Sequence, residues 1–201
     1  MCRGCRAAAE PVPRKALVVG QNTGKIEMTA IARPTAGFML RHPARWFALG
    51  FGSGLSPKAP GTVGTLWAWL SFMVLSRWLD DAAWGAVIVL SLALGLWACT
   101  RTAQHLGQAD PGAIVWDEVV AFWIVLWLLM PTSWWNQLLA FIVFRYFDAA
   151  KPGPVGWADR RYKLLPGQAI GWRQGFGILF DDLMAAACTL LLLAVSARLW
   201  N

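Results

Sequence analysis

Ile114 to Met130 reads IVWDEVVAFWIVLWLLM, with two adjacent carboxylates, Asp117 and Glu118, at the mouth of an otherwise apolar run. An ionised carboxylate at the centre of the hydrocarbon costs roughly 2.5–3.5 kcal/mol on insertion scales, so an acid pair at a membrane helix needs a partner or a task. The arrangement returns at Ile178 to Leu193, ILFDDLMAAACTLLLL, where Asp181 and Asp182 open the run. Two helices that each begin with paired acids suggest one shared site. Three further apolar stretches, Val63–Leu79, Ala82–Thr100 and Trp134–Phe147, join Trp116–Met130 and Leu179–Val195. The pattern predicts an all-α fold, an integral membrane helical bundle of about four to five apolar helices with its carboxylates at the cytoplasmic end. A span needs about 20 residues, so the third and fourth stretches are short and read as tilted or re-entrant. Trp78, Trp84, Trp116, Trp134, Trp135 and Trp200 at stretch ends fit an interfacial aromatic belt, with core packing as the alternative for each.

Composition agrees with a membrane setting. With 201 residues, 57% hydrophobic, 14 Trp and only 14% charged, the chain is too apolar for an ordinary soluble domain. A net charge of +7 would suit nucleic acid, but its distribution argues for another origin. If the N-terminus is cytoplasmic and all five stretches cross, every Lys and Arg except Arg77 and Arg198 falls on the inner side. That is the positive-inside pattern, and it puts Asp110, Asp117, Glu118, Asp148, Asp159, Asp181 and Asp182 on the cytoplasmic face.

Residues 1–45 are rich in Arg, Ala and Pro and read as a basic, flexible tail without a signal-peptide core; residues 46–201 read as the membrane domain. A start at Met28 is compatible with this reading. Cys2 and Cys5 form a single CxxC with no second pair, which argues against a zinc site, and Cys99 and Cys188 lie in apolar runs. After the tail comes LGFGSGLSPKAPGTVGT, Leu49 to Thr65. Backbone N–H groups and the hydroxyls of Ser53, Ser56, Thr62 and Thr65, with Lys58, could meet a phosphate there, helped by the positive end of the next helix. No GK[ST] ends it, so it is not a Walker A loop. A flexible entry turn is the plainer alternative. His105 and Asp110 stand in the connection before the acid pair, where a surface histidine and a turn residue are the ordinary readings. In FRYFDAAKPGPVGWADRR, Arg145 and Asp148 share a helix face, as do Asp148 and Lys151, before Pro152, Gly153 and Pro154 break the helix.

Clustered carboxylates without a His or Cys ligand set favour a hard cation, magnesium over zinc. Adjacent helical residues point about 100° apart, so Asp117 and Glu118 should not both chelate one ion. Lys58, Arg145, Lys151, Arg160 and Arg161 could hold a phosphate beside it. Metal, phosphate and bilayer together point to a phospholipid headgroup. Other phosphatase chemistries are excluded by sequence: no CX5R follows any cysteine, no DxD pair is present, and the only histidines are His42 and His105. The DG…AR…G…D…D signature of the lipid alcohol phosphotransferases is also missing.

The segments FGSGLSPKAPGTVGT, GAIVWDEVV, FRYFDAAKPGPVGWADR and GFGILFDDLMAA closely resemble, in order and spacing, the phosphatidylglycerophosphatase A family of bacterial inner-membrane lipid phosphatases. The resemblance runs over residues 47–195. It implies an all-helical fold, which soluble relatives share, and magnesium-dependent hydrolysis of phosphatidylglycerophosphate to phosphatidylglycerol and phosphate. Carried over by position, it sets Asp117, Glu118, Asp148 and Lys151 as catalytic and Asp117, Glu118, Asp148, Asp181 and Asp182 as Mg2+ ligands. Ser53, Ser56, Lys58, Thr62, Arg145, Asp159 and Arg160 would then bind substrate. The sequence departs from the family at Ala121 and at Ala186 or Ala187, where glycines are expected. A small cation-coupled transporter is the alternative from another class, and a noncatalytic lipid-binding relative is a third.

Overall fold

The computed structural model describes residues 33–165 and 168–200. The basic tail to residue 32, with Cys2, Cys5 and Met28, lies outside the described residues, as does the side chain of Trp200. From Pro34 onward the chain forms one compact unit. Its helices are α1 (Ala36–Leu40), α2 (Pro43–Ala48), α3 (Pro60–Leu75), α4 (Asp81–Leu106), α5 (Trp116–Leu129), α6 (Trp134–Ala150), α7 (Pro154–Arg161) and α8 (Trp172–Trp200), with a 3-10 segment over Gly50–Leu55. No strand occurs among the described residues.

Local chemistry sets the helix ends. Pro60 opens α3, where its missing N–H leaves no bond unmade. The Asp80 side chain accepts the Ala83 N–H at 2.8 Å to start α4, which Gly107 ends in the left-handed conformation at φ 64°. Ser133 caps α6, accepting from Asn136. The short α1 and α2 arise where the sequence shows no helical period, because the Thr35 and His42 side chains accept from Phe38 and Ala44.

The core is built around α5. Val119, Val120, Ala121, Phe122, Val125 and Leu126 are fully buried, enclosed by α3, α4, α6 and α8. Each such Val, Leu or Phe stabilises the fold by about 1.5–3 kcal/mol relative to exposure. Indole N–H groups are satisfied by donation, Trp123 to the Ala68 carbonyl at 3.0 Å and Trp116 to the Ser91 carbonyl at 3.1 Å. Trp84 and Trp116, expected at a membrane interface, are therefore core residues. Trp78, Trp134 and Trp135 are exposed at the opposite end from the acids.

Two described helices are long and apolar enough to cross a membrane, α4 over Asp81–Leu106 and α8 over Trp172–Leu199. At 16, 14 and 17 residues, α3, α5 and α6 are shorter than a span. The second acid pair also differs from expectation. Since α8 starts at Trp172, Asp181 and Asp182 stand nearly three turns inside it, out of reach of the helix-end field. Gly175 and Gly177 ahead of them are helical, and α8 runs close to its neighbours there. A Cβ on Gly175 would run into the Thr100 side chain and lie 3.1 Å from its Cα.

Gly175→Ala should accordingly lower stability by about 1–3 kcal/mol, the usual cost of overpacking. In thermal unfolding of the detergent-solubilised protein, Gly112→Ala, whose added Cβ meets nothing within 4 Å, should leave the midpoint unchanged. Equal midpoints for the two variants would contradict this close α4–α8 packing.

Candidate active site

The site gathers at one end of the bundle, from the first turn of α5, the C-terminal end of α6, the last turn of α7 and the first third of α8. Its centre is three carboxylates, Glu118, Asp148 and Asp182, each offering an oxygen within 4.8 Å of the others. Asp148 and Asp182 are buried at 8% and 3% exposure. Each acid pair is split by helix geometry: Glu118 and Asp182 enter the triad, while Asp117 and Asp181 point elsewhere.

Cations hold two corners. Arg145 Nη1 donates to Glu118 Oε1 at 3.2 Å, to Asp148 Oδ2, and to the hydroxyl of Thr65 at 3.4 Å. One nitrogen thus ties α3, α5 and α6. Lys151 closes α6 in the left-handed conformation, φ 46°, and its ammonium donates to Asp159 Oδ1 at 2.8 Å and to Asp181 Oδ2. Lys163 meets the other Asp159 oxygen at 2.8 Å. Burial pushes the Asp159 carboxyl up, but hydrogen bonds from Lys151 and Lys163 outweigh it and hold it below the usual carboxylate range. Burial likewise disfavours the charged Lys151, yet Asp181 and Asp159 keep its ammonium protonated well above the ordinary range.

Arg145 and Lys151 offset only two of the five charges on Asp117, Glu118, Asp148, Asp181 and Asp182. Asp117 Oδ1, Glu118 Oε2 and Asp182 Oδ2 are buried without any hydrogen-bond partner. Buried carboxylate oxygens left in that state are costly unless a cation joins them. Oxygen-only donors with excess negative charge are the set a hard divalent ion takes, so these residues fit magnesium. Helix α3 closes the site from one side. Gly61 and Gly64 pack so tightly on Glu118 that a Cβ on Gly61 would collide with its carboxylate.

The structure thus brings together Asp117, Glu118, Arg145, Asp148, Lys151, Asp159, Asp181 and Asp182. Ser53 and Ser56 turn their hydroxyls back into their own loop, onto the Gly50 and Lys58 carbonyls, each at 2.8 Å. Thr62 is half-buried in the first turn of α3, while Lys58 and Arg160 are exposed and make no ion pair among the described residues. His105 accepts from Arg45 at 3.3 Å, beside His42, and touches none of the acids. Thr65, read from the sequence only as one hydroxyl of a loop and not among the residues carried over from the family, sits in α3 as a partner of Arg145. Its spacing of four from Gly61 gives the signal, since both fall on the α3 face turned to Glu118.

Comparison with known proteins agrees with this geometry. The family model for phosphatidylglycerophosphatase A matches residues 46–197. The chain is 38% identical over 147 residues to phosphatidylglycerophosphatase A of Escherichia coli, covering 73% of this chain and 78% of that one. It is 37% identical over 153 residues to phosphatidylglycerophosphatase A of Haemophilus influenzae, covering 76% and 88%. A putative phosphatidylinositol-3-phosphatase of Bacteroides thetaiotaomicron is 36% identical over 154 residues, covering 73% and 89%. No solved structure matches the chain. By the extent of the family match and the identity to these relatives, the chain belongs to the phosphatidylglycerophosphatase A family.

Proposed function

We propose that this protein is a magnesium-dependent phosphatidylglycerophosphatase of a bacterial inner membrane, hydrolysing the phosphomonoester of phosphatidylglycerophosphate at the cytoplasmic headgroup level to give phosphatidylglycerol and inorganic phosphate. The observation that carries the reading is the set of buried, unpartnered oxygens on Asp117, Glu118 and Asp182 in a chain of this family. Glu118, Asp148 and Asp182 would hold the ion, which when bound would neutralise phosphate charge and favour attack on phosphorus. Asp117, outside the triad, is the carboxylate free to take the proton of the attacking water. The water oxygen bonds to phosphorus as the bond to the lipid alkoxide breaks, and the alkoxide takes up a proton from solvent. Arg145 would orient Glu118 and Asp148 and face the phosphate. Lys151, steadied by Asp159 and Asp181, would offset charge that builds on the transferred group.

A multi-pass arrangement is supported by α4 and α8 together with outward apolar residues such as Leu66, Leu70, Val89, Leu90, Leu191 and Leu192. The basic residues concentrated around the acid end favour the cytoplasmic orientation. A cation-coupled transporter is not favoured, since the acids gather at one level instead of threading the bundle.

Purified protein in micelles should release phosphate from phosphatidylglycerophosphate with magnesium and lose that release in excess EDTA. Glu118→Gln, Asp148→Asn and Asp182→Asn should each cut kcat by about 100-fold or more, the scale of a lost electrostatic contact at the transition state. Full turnover in EDTA would overturn the metal assignment. Binding can be read apart from turnover. At a hundredfold excess over Kd, magnesium should stabilise the wild type by about 2.7 kcal/mol and raise its unfolding midpoint. Asp182→Asn should lose most of that shift, and an equal shift in the variant would place the ion elsewhere.

A further inference from the structure

Beside the carboxylate triad lies a separate cavity of about 70 Å³, lined by Asp110, Asp159, Tyr162, Lys163, Gln174 and Asp181 among others. It adjoins the triad through Asp181, the neighbour of Asp182, and through Lys151, which bonds Asp159 and Asp181 together. Three carboxylates on its wall repel an anion, so it is not a second phosphate site. Lys151 and Lys163 already occupy both Asp159 oxygens and one Asp181 oxygen, which leaves little for a cation.

Asp110 and Gln174 each bring an unpartnered polar group to the wall. The Asp110 carboxylate makes no hydrogen bond or ion pair among the described residues. Gln174 is only 4% exposed, and its carbonyl oxygen accepts the Gly171 N–H at 2.9 Å. Its amide nitrogen has no acceptor among the described residues and is not sealed from solvent, and the residue lines the cavity. A free acceptor and a nine-tenths-buried free donor on one small wall match a neutral hydroxyl, which gives one hydrogen bond and takes another.

Resting on the phosphatase reading, we propose that this cavity is a polyol subsite in which Asp110 accepts from, and Gln174 donates to, the free secondary hydroxyl of the headgroup glycerol. The three-carbon headgroup carries that hydroxyl next to the carbon bearing the phosphomonoester, and the cavity wall includes Asp181, next in the chain to Asp182 of the triad. Asp110 and Gln174 are then specificity-determining residues: they recognise the group that carries the phosphate.

The test compares kcat/KM for phosphatidylglycerophosphate with that for an analogue whose headgroup glycerol is replaced by propane-1,3-diol, which lacks only the hydroxyl. In micelles with magnesium, the wild type should prefer the glycerol lipid by about 10- to 100-fold, the range for a hydrogen bond to a charged group. That preference should collapse in Asp110→Ala, which removes an exposed carboxylate, and in Gln174→Glu, which keeps the acceptor for Gly171 while losing the donor. A wild type that treats both lipids alike, or a preference that survives in both variants, overturns the subsite and leaves the phosphatase reading standing. No magnesium-dependent release from either lipid overturns the phosphatase reading, and the subsite with it.

Discussion

Arg145 is the contact on which the working end of the bundle depends. Glu118 and Asp148 repel each other across a short gap in a largely buried site, and two charges about 4 Å apart interact by about 4 kcal/mol at the effective dielectric of such sites. The guanidinium offsets that repulsion, and its tie to Thr65 brings α3 into the same network. Since α3, α5 and α6 meet there, the electrostatics and the helix packing are one constraint. Arg145 reaches only two of the triad acids. Asp182 keeps an oxygen with no partner, and the site therefore stays poised for a cation.

Small residues make this geometry accessible. Gly61 and Gly64 let α3 approach Glu118, and Gly175 lets α8 approach α4, so the acids of α5 and α8 face each other across a short distance. Where the resemblance to the family leads one to expect glycines, Ala121 and Ala186 are buried, at 0% and 2% exposure, and Ala187 is exposed. The methyl groups of the two buried alanines are taken into the core. The chemistry is thus held by close backbone approach on one side and by the Arg145 and Lys151 ion pairs on the other. Helix α5 itself, 14 residues or about 21 Å long, is shorter than the roughly 30 Å hydrocarbon core. A short central helix puts its first turn, with both its acids, at one end of the bundle, where a lipid headgroup would lie.

Much of this was legible in the sequence because it depends on local spacing. The apolar runs marked where the five long helices lie, and the i, i+3 spacing of Arg145 and Asp148 put them on one face. The 100° step of the helix separates Asp117 from Glu118, and only Glu118 lies in the carboxylate triad. What failed had a physical reason. Apolarity at the end of a run cannot separate an interfacial Trp from a core one, so both readings stood for Trp84 and Trp116 until packing put them in the core. The second acid pair was expected to begin its helix, but tight packing against Thr100 and Tyr162 lets Gly175 and Gly177 sit inside α8 ahead of Asp181.

The sequence by itself determined the helical class, the family, and the inventory of acids and bases, because period, composition and motif order are properties of neighbours along the chain. Only the tertiary structure decided which acids share a site, since that depends on how far apart α5, α6 and α8 pack and how each is rotated. It split both acid pairs, turned Thr65 toward Arg145 and set Asp110 and Gln174 on one small wall, although these two residues stand 64 positions apart. Burial did the rest: a carboxylate is ordinary in a sequence, and becomes a binding group when packing removes its water and leaves its oxygen without a partner.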